Sequence, residues 1–284
     1  MRKLFLHLLP IAFIMMLPAL QALEVQPADK SAYTLFNPTP RQYLRDLSTD
    51  RPDVTESAYT VDAGHVQIEI DFLNYTCDRS AGGEVTTWNT APINFKIGLL
   101  NHMDLQIVFD SYVHEKNRDA GRSTTTTGVG DLTFRMKMNL WGNDGGQTAL
   151  ALMPFVKLPT HSRGLGNDSI EGGLIIPFAV SLPGDWGMGL MTEVDVLRNE
   201  ADSGYHLDLV NSITFSHDLV GDLGGYVEFV SILSAESGSR WQATFNMGLT
   251  YALTADIQLD GGCNIGVTDA AEDLHPFVGA SFRF

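Results

Sequence analysis

From His65 onward, apolar and polar positions alternate with a period of two. Val66, Ile68, Ile70 and Phe72 share one face, and Gln67, Glu69 and Asp71 the other, the signature of a strand rather than a helix. The pattern returns as a hairpin. Ile93, Phe95, Ile97 and Leu99 alternate with Asn94 and Lys96, then Met103, Leu105, Ile107 and Phe109 alternate with Asp104, Gln106 and Asp110, around a short turn at Asn101 and His102. A fourth strand, Val129 to Leu140, sets Leu132, Phe134, Met136 and Met138 against Thr133, Arg135 and Lys137. Further strands are predicted at Thr148 to Leu158, Glu171 to Leu182, Trp186 to Arg198, Tyr205 to His217, Gly224 to Leu233, Trp241 to Leu253, Ala255 to Val267 and Pro276 to Phe284, twelve in all.

The last of these has Pro276, Val278, Ala280, Phe282 and Phe284 on one face and Phe277, Gly279, Ser281 and Arg283 on the other. Strands near ten residues long with an unbroken apolar face suit a closed barrel in lipid. The connections alternate between long polar stretches (Cys77 to Asn89, Val113 to Thr127, Thr160 to Ser169, Asn199 to Gly204, Ala235 to Arg240, Asp269 to His275) and mostly tighter turns. Outer-membrane barrels have long outer loops and short periplasmic turns, and an even strand number puts both ends in the periplasm. The predicted fold is therefore all-β: a single transmembrane antiparallel up-and-down β-barrel of about twelve strands over residues 64–284. Closure leaves no unpaired strand edge in hydrocarbon.

Residues 23–63 are polar, contain Pro38, Pro40 and Pro52 and lack sustained alternation. They read as an irregular periplasmic lead-in or a strap near the barrel mouth. Ahead of them, Arg2 and Lys3 precede an apolar run from Leu4 to Leu20, broken by Pro10 and Pro18, and Ala22 is a small residue suited to cleavage. Residues 1–22 thus read as a secretory signal peptide; an uncleaved anchor is the alternative, the run being marginal for a span of about 20 residues. Mean hydropathy is near zero, as expected where lipid-facing and lumen-facing residues cancel.

The segment Thr49 to Ser57 (TDRPDVTES) resembles the opening motif of the outer-membrane transporter family named for the meta-pathway of phenol degradation. Lys96 to Leu105 (KIGLLNHMDL), Gly128 to Leu132 (GVGDL), Pro154 to Thr160 (PFVKLPT), Glu171 to Pro177 (EGGLIIP) and the run from Gln258 through Phe284 are similar to its hairpins and closing strands. The resemblance covers nearly all of the mature chain. It implies a barrel and a transport role, without fixing a substrate. One departure is the Lys96 that stands two residues before Gly98, with Leu-Asn-His beyond, where the family often has Arg before a Gly-Leu-Thr-like turn; the charge is kept.

Strand phase places Glu69, Asp71, Asp104, Gln106, Asp110, Glu193, Asp195, Asp208, Glu228 and Asp260 on the lumen side with Lys96, Arg135, Lys137, Lys157 and Arg283. Lys or Arg facing lipid at the midplane would cost about 2–4 kcal/mol each, so inward charge is demanded whatever the function. Two readings stand. One is a water-filled pore whose opposed charges orient a small polar or amphipathic solute, for passive uptake or efflux; the other is an ion-pair network that plugs a narrow barrel. Arg283 is expected to reach Glu69 or Asp71 across the closing seam. Trp88, Trp141, Trp186 and Trp241 fall near predicted strand ends, where amphipathic rings suit the membrane interface. Phe282 and Phe284 resemble the terminal signal read by the barrel-assembly machinery.

A balance of 18 Lys+Arg against 34 Asp+Glu, formally -16, makes nucleic acid a poor partner. Outer-membrane lipid, the assembly machinery and a small solute are the expected partners. Cys77 and Cys263 are the only cysteines, too few for a disulfide scaffold and without metal spacing. His114-Glu115 lacks the second His of a zinc protease helix, Gly164-Leu165-Gly166 follows no strand-to-helix turn, and there is no G-x-S-x-G elbow. No catalytic residue, metal or cofactor is predicted. A barrel lipase is the rival enzyme reading, but His217, on the outer face beside a periplasmic turn, has no evident Ser partner. A structural barrel without transport is the other rival. Asp269, Glu272 and Asp273 could hold a divalent cation, though Asp269 and Glu272 read better as a capping box for a helical turn.

Overall fold

The structure, a computed structural model, describes residues 29–79, 83–119, 121–166, 168–199 and 204–284. The expected signal peptide lies outside the described residues. The strands are β1 (Val66–Asp78), β2 (Glu84–Leu100), β3 (Met103–Asp119), β4 (Arg122–Gly128), β5 (Leu132–Trp141), β6 (Thr148–Leu158), β7 (Glu171–Leu182), β8 (Trp186–Arg198), β9 (Tyr205–Val220), β10 (Leu223–Ser234), β11 (Gln242–Thr254), β12 (Ile257–Gly266) and β13 (Leu274–Arg283). Each pairs antiparallel with its neighbours, and β13 returns to β1 with Glu69 opposite Ser281. Twelve strands close the barrel, as alternation predicted.

The thirteenth is β4. It takes over as the neighbour of β3 from Val113 to Asp119, beyond the point where β5 stops. Its sequence, RSTTTTG, is exposed along almost its whole length, so it has no apolar face to produce a period-two signal, although threonine favours strands. The polar stretch Val113 to Thr127 is therefore a hairpin rather than a loop. Likewise β2 starts at Glu84, inside the stretch Cys77 to Asn89, which puts Trp88 within the strand. β2 and β3 are 17 residues each, longer than the roughly 9–11 a tilted strand needs to cross lipid, and their excess projects at the long-loop end. Residues 267–273 form turns rather than a helix, so the capping box has no helix to cap.

The two faces invert the rule for a soluble protein. Val194, Leu207, Leu209, Val227, Phe229, Phe245, Met247, Leu249 and Leu259 are exposed on the outside. Lys96, Lys137, Gln67, Gln106, Glu69, Glu228 and Asn246 are among the largest fully buried side chains. Buried charge is tolerated only when paired and hydrogen-bonded, so every such residue needs an identified partner. In β1 a bulge between Asp71 and Leu73 turns Phe72 and Leu73 both outward and re-phases the strand. Cys77 and Cys263 flank β13 on opposite sides, paired with Leu274 and Pro276. Two strand spacings, about 9–10 Å, exceed disulfide reach, and both thiols are free.

Candidate functional site

The residues that satisfy the buried wall charges come from the N-terminal segment. It begins at the short-turn end, where Thr34 bridges Leu100 and His65 Nδ1 lies 2.9 Å from the carbonyl of Phe284. After a single 3-10 turn, Arg41–Tyr43, it runs irregularly, and from Ser48 to Val61 it lies inside the barrel rather than beside its mouth. An irregular backbone buried there needs outside acceptors for its amides, and the wall provides them. The amides of Val54 and Thr55 donate to the Glu228 carboxylate (3.0 and 2.7 Å), that of Asp50 to Glu69 (3.1 Å), that of Val61 to Asp104 (2.9 Å) and that of Thr60 to Asn143 (3.0 Å).

Three plug side chains complete the match. Asp50 pairs with Lys96 (2.5 Å) and with Lys137, and accepts from Gln106 (3.1 Å) and from the amide of Ser57 (3.0 Å). Arg51 joins Asp71 on β1 to Asp260 on β12 (2.6 Å), with its guanidinium carbon 5.7 Å from the Phe277 ring centre. Between those strands stands Gly279, where a Cβ would lie 2.4 Å from Arg51 Nη2 and equally close to the carbonyl of Ile70. The missing side chain is the seat of the arginine. Glu56 pairs with Arg135 at 2.5 Å, and its amide lies 3.5 Å from the Met191 sulfur.

At the short-turn mouth, Asp144 accepts from Asn101 (2.5 Å) and pairs with Lys30 (2.9 Å) and Arg45 (3.0 Å), and both cations also reach Asp62 at 3.3 Å. Burial pushes the Asp144 carboxyl up, but hydrogen bonds from Lys30 and Asn101 and the nearby positive charges outweigh it and hold the group below its ordinary range. Lys30, Arg45, Asp62 and Asp144 border a cavity of about 580 Å³ that opens beside the plug. Arg283 does not reach Glu69 or Asp71. It lies opposite Gln67 and pairs with Asp256 (2.8 Å) in the β11–β12 turn; the seam bridge expected of it is made by Arg51.

The charged and amide-bearing strand residues fall into separate groups. Glu69, Lys96, Asp104, Gln106 and Lys137 gather around Asp50, while Asp71 and Asp260 hold Arg51 and Glu228 holds the backbone. Asp110, Lys157, Glu193, Asp195 and Asp208 stand closer to the long-loop end, where Lys157 pairs with Glu171 and Asp195 faces Asp208 across the β8–β9 ladder. Sequence phase also left out an apolar band on the inner wall. Met153, Ile175, Met191, Val210 and Val230, from five successive strands, form one buried cluster with Phe155 and Ile232 against it. His217 is half-buried and contacts the Gly184 carbonyl and the Trp186 ring. Among the described residues no group of His, Cys, Asp and Glu has metal-site geometry.

The family model described as "Putative MetA-pathway of phenol degradation" matches residues 49–284, from the first residue of the plug motif to the chain end. The chain belongs to this family. Among solved structures, an outer membrane channel from Pseudomonas putida F1 matches with a TM-score of 0.61 at 12% identity, covering 84% of this chain and 100% of that one. The β domain of the Bordetella autotransporter BrkA matches at a TM-score of 0.51 and 13% identity over 78% and 99% of the two chains. The NanC porin gives 0.50 and 10% over 76% and 98%. No curated protein matches the chain by sequence. At these identities the likeness is one of fold, that of an outer-membrane β-barrel with lipid around it.

Proposed function

We propose that this protein is a gated outer-membrane channel for passive passage of an unidentified small solute, closed here by its own residues 48–61. One observation carries the reading: the plug is held by side chains that are individually matched to the wall, above all Asp50 between Lys96 and Lys137. Removing it would leave a lumen lined by Glu69, Asp71, Lys96, Asp104, Gln106, Asp110, Arg135, Lys137, Lys157, Glu193, Asp195, Asp208, Glu228, Asp260 and Arg283, on strands that remain fully paired without it. A closed barrel needs no plug to satisfy its backbone, so an inserted segment is free to act as a gate. The protein is not an enzyme in this reading. It reaches the outer membrane through removal of residues 1–22 and through recognition of Phe282 and Phe284 by the assembly machinery.

Single-channel recording in planar bilayers tests this. The wild-type protein is expected to give brief discrete steps, and a variant lacking residues 48–61 long-lived ones. Silence from both, from barrels that still migrate heat-modifiably on gels, would leave a structural barrel.

A further inference from the structure

The plug leaves a chemical imprint on the wall. Lys137 and Arg135 stand two residues apart on β5 and face the lumen together. Among the described residues, the ion-pair partner of Lys137 is Asp50 and that of Arg135 is Glu56, both from the plug. Of the neighbouring wall acids, Glu69 keeps Lys96, while Asp104 keeps Gln106, loses the amide of Val61 and stands opposite Lys137 across the β3–β5 ladder. Withdrawal of residues 48–61 therefore takes the ion-pair partners from two adjacent cations in a confined space, where charge attraction is strong. Apolar surface lies directly beside them. Arg135 is the cross-strand neighbour of Phe155, which packs on the cluster of Met153, Ile175 and Met191.

Glu56 spans both features. Its carboxylate is on Arg135 and its backbone is against the Met191 sulfur. We propose that Arg135 and Lys137 form the solute site of the channel, and that the solute is a small amphipathic carboxylate whose anionic head displaces Asp50 and Glu56 while its apolar body lies on the Phe155 and Met191 wall. This rests on the gated-channel reading and names its substrate class. The plug is then an internal competitor, and a solute that binds the vacated site opens the gate by linkage.

The test is the open probability of the wild-type full chain in planar bilayers with added benzoate, its neutral isostere benzamide, or benzylammonium. Benzoate is expected to raise the open probability about tenfold, within the usual range of coupling between two ligands, while the other two leave it unchanged. Arg135→Gln should open more often without ligand and lose the benzoate response. Glu56→Gln keeps both cations and should respond at lower benzoate concentration. Each variant is first checked for heat-modifiable migration, and Glu56→Gln decides the matter if Arg135→Gln fails to fold. Steps that ignore benzoate, or that respond equally to benzamide or benzylammonium, overturn the substrate class and leave the channel. Silence even without residues 48–61 overturns the channel, and this proposal with it.

Discussion

The lumen has two unlike walls. On β1–β3, β5, β11 and β12 the inward residues are largely charged or amide-bearing, and several of them meet a named group of the plug, such as Lys96 and Lys137 on Asp50 or Asp71 and Asp260 on Arg51. On β6–β10 the middle of the wall is Met153, Ile175, Met191, Val210 and Val230, which pack chiefly on one another. Only nearer the short turns does the plug engage this side apolarly, where Ala58 and Tyr59 contact Ala149, Ala151 and Ala179. The charged wall fixes where the plug sits, because buried ions tolerate few arrangements. The apolar wall imposes no register, so it can accept the plug now and another occupant later.

Substitutions on the two walls should accordingly differ in kind. The largest effect is expected from Asp50→Ala, which takes the ion-pair partner from Lys137 and leaves Lys96 with Glu69 alone. Removing one partner of a buried ionic cluster costs about 3–5 kcal/mol. Here the loss appears as plug release if the barrel holds: the open probability approaches that of the deletion variant, while urea unfolding of the barrel shifts less than the full cost. Unchanged gating would show that the Asp50 cluster is not the latch. Gly279→Ala is the next test. Its methyl would meet both Arg51 and the Ile70 carbonyl, and overpacking of this kind costs about 1–3 kcal/mol. We expect lower stability together with more frequent opening, since Arg51 must leave its seat; a variant that is less stable but gates normally would separate the seam from the plug.

Ile175→Val probes the other wall. A deleted buried methylene costs about 0.5–1.5 kcal/mol, so the urea midpoint should fall with no change in resting open probability. A change in gating of the size seen for Gly279→Ala would abolish the distinction between the walls.

The same contrast explains what could be read from sequence. Strands such as Val66–Asp78 declared themselves because one face meets lipid and the other meets charge. β6 reads TALALMPFVKL, apolar on both faces, so its existence was legible and its inner apolar surface was not. β4 was invisible for the opposite reason, being wet on both faces. The plug has no period, and periodicity cannot find a segment held by backbone amides on wall carboxylates. Its signal was the charge density of Thr49 to Ser57, legible as a motif but without the partners that give it a role. Arg283 could be placed in the right strand, yet not given the right partner, because Asp256 comes from a turn whose approach depends on the closed barrel.

The smallest effect lies at the short-turn mouth, where Asp144 ties Lys30 and Arg45 of the N-terminal segment to the barrel. Its carboxyl is depressed in the folded protein, so its contribution is fully present above the ordinary carboxylate value of about 3.9. That contribution is lost as pH falls through the lower folded value. Asp144 is still partly exposed, with 24% of its side chain open to solvent, and such pairs contribute about 0.2–1 kcal/mol. The wild-type channel should therefore open somewhat more often as pH drops below about 4. Asp144→Asn should already open at that level at neutral pH and lose this part of the acid response. An acid response of undiminished size in Asp144→Asn would move the sensor away from the mouth, to the carboxylates of the charged wall that hold the plug itself.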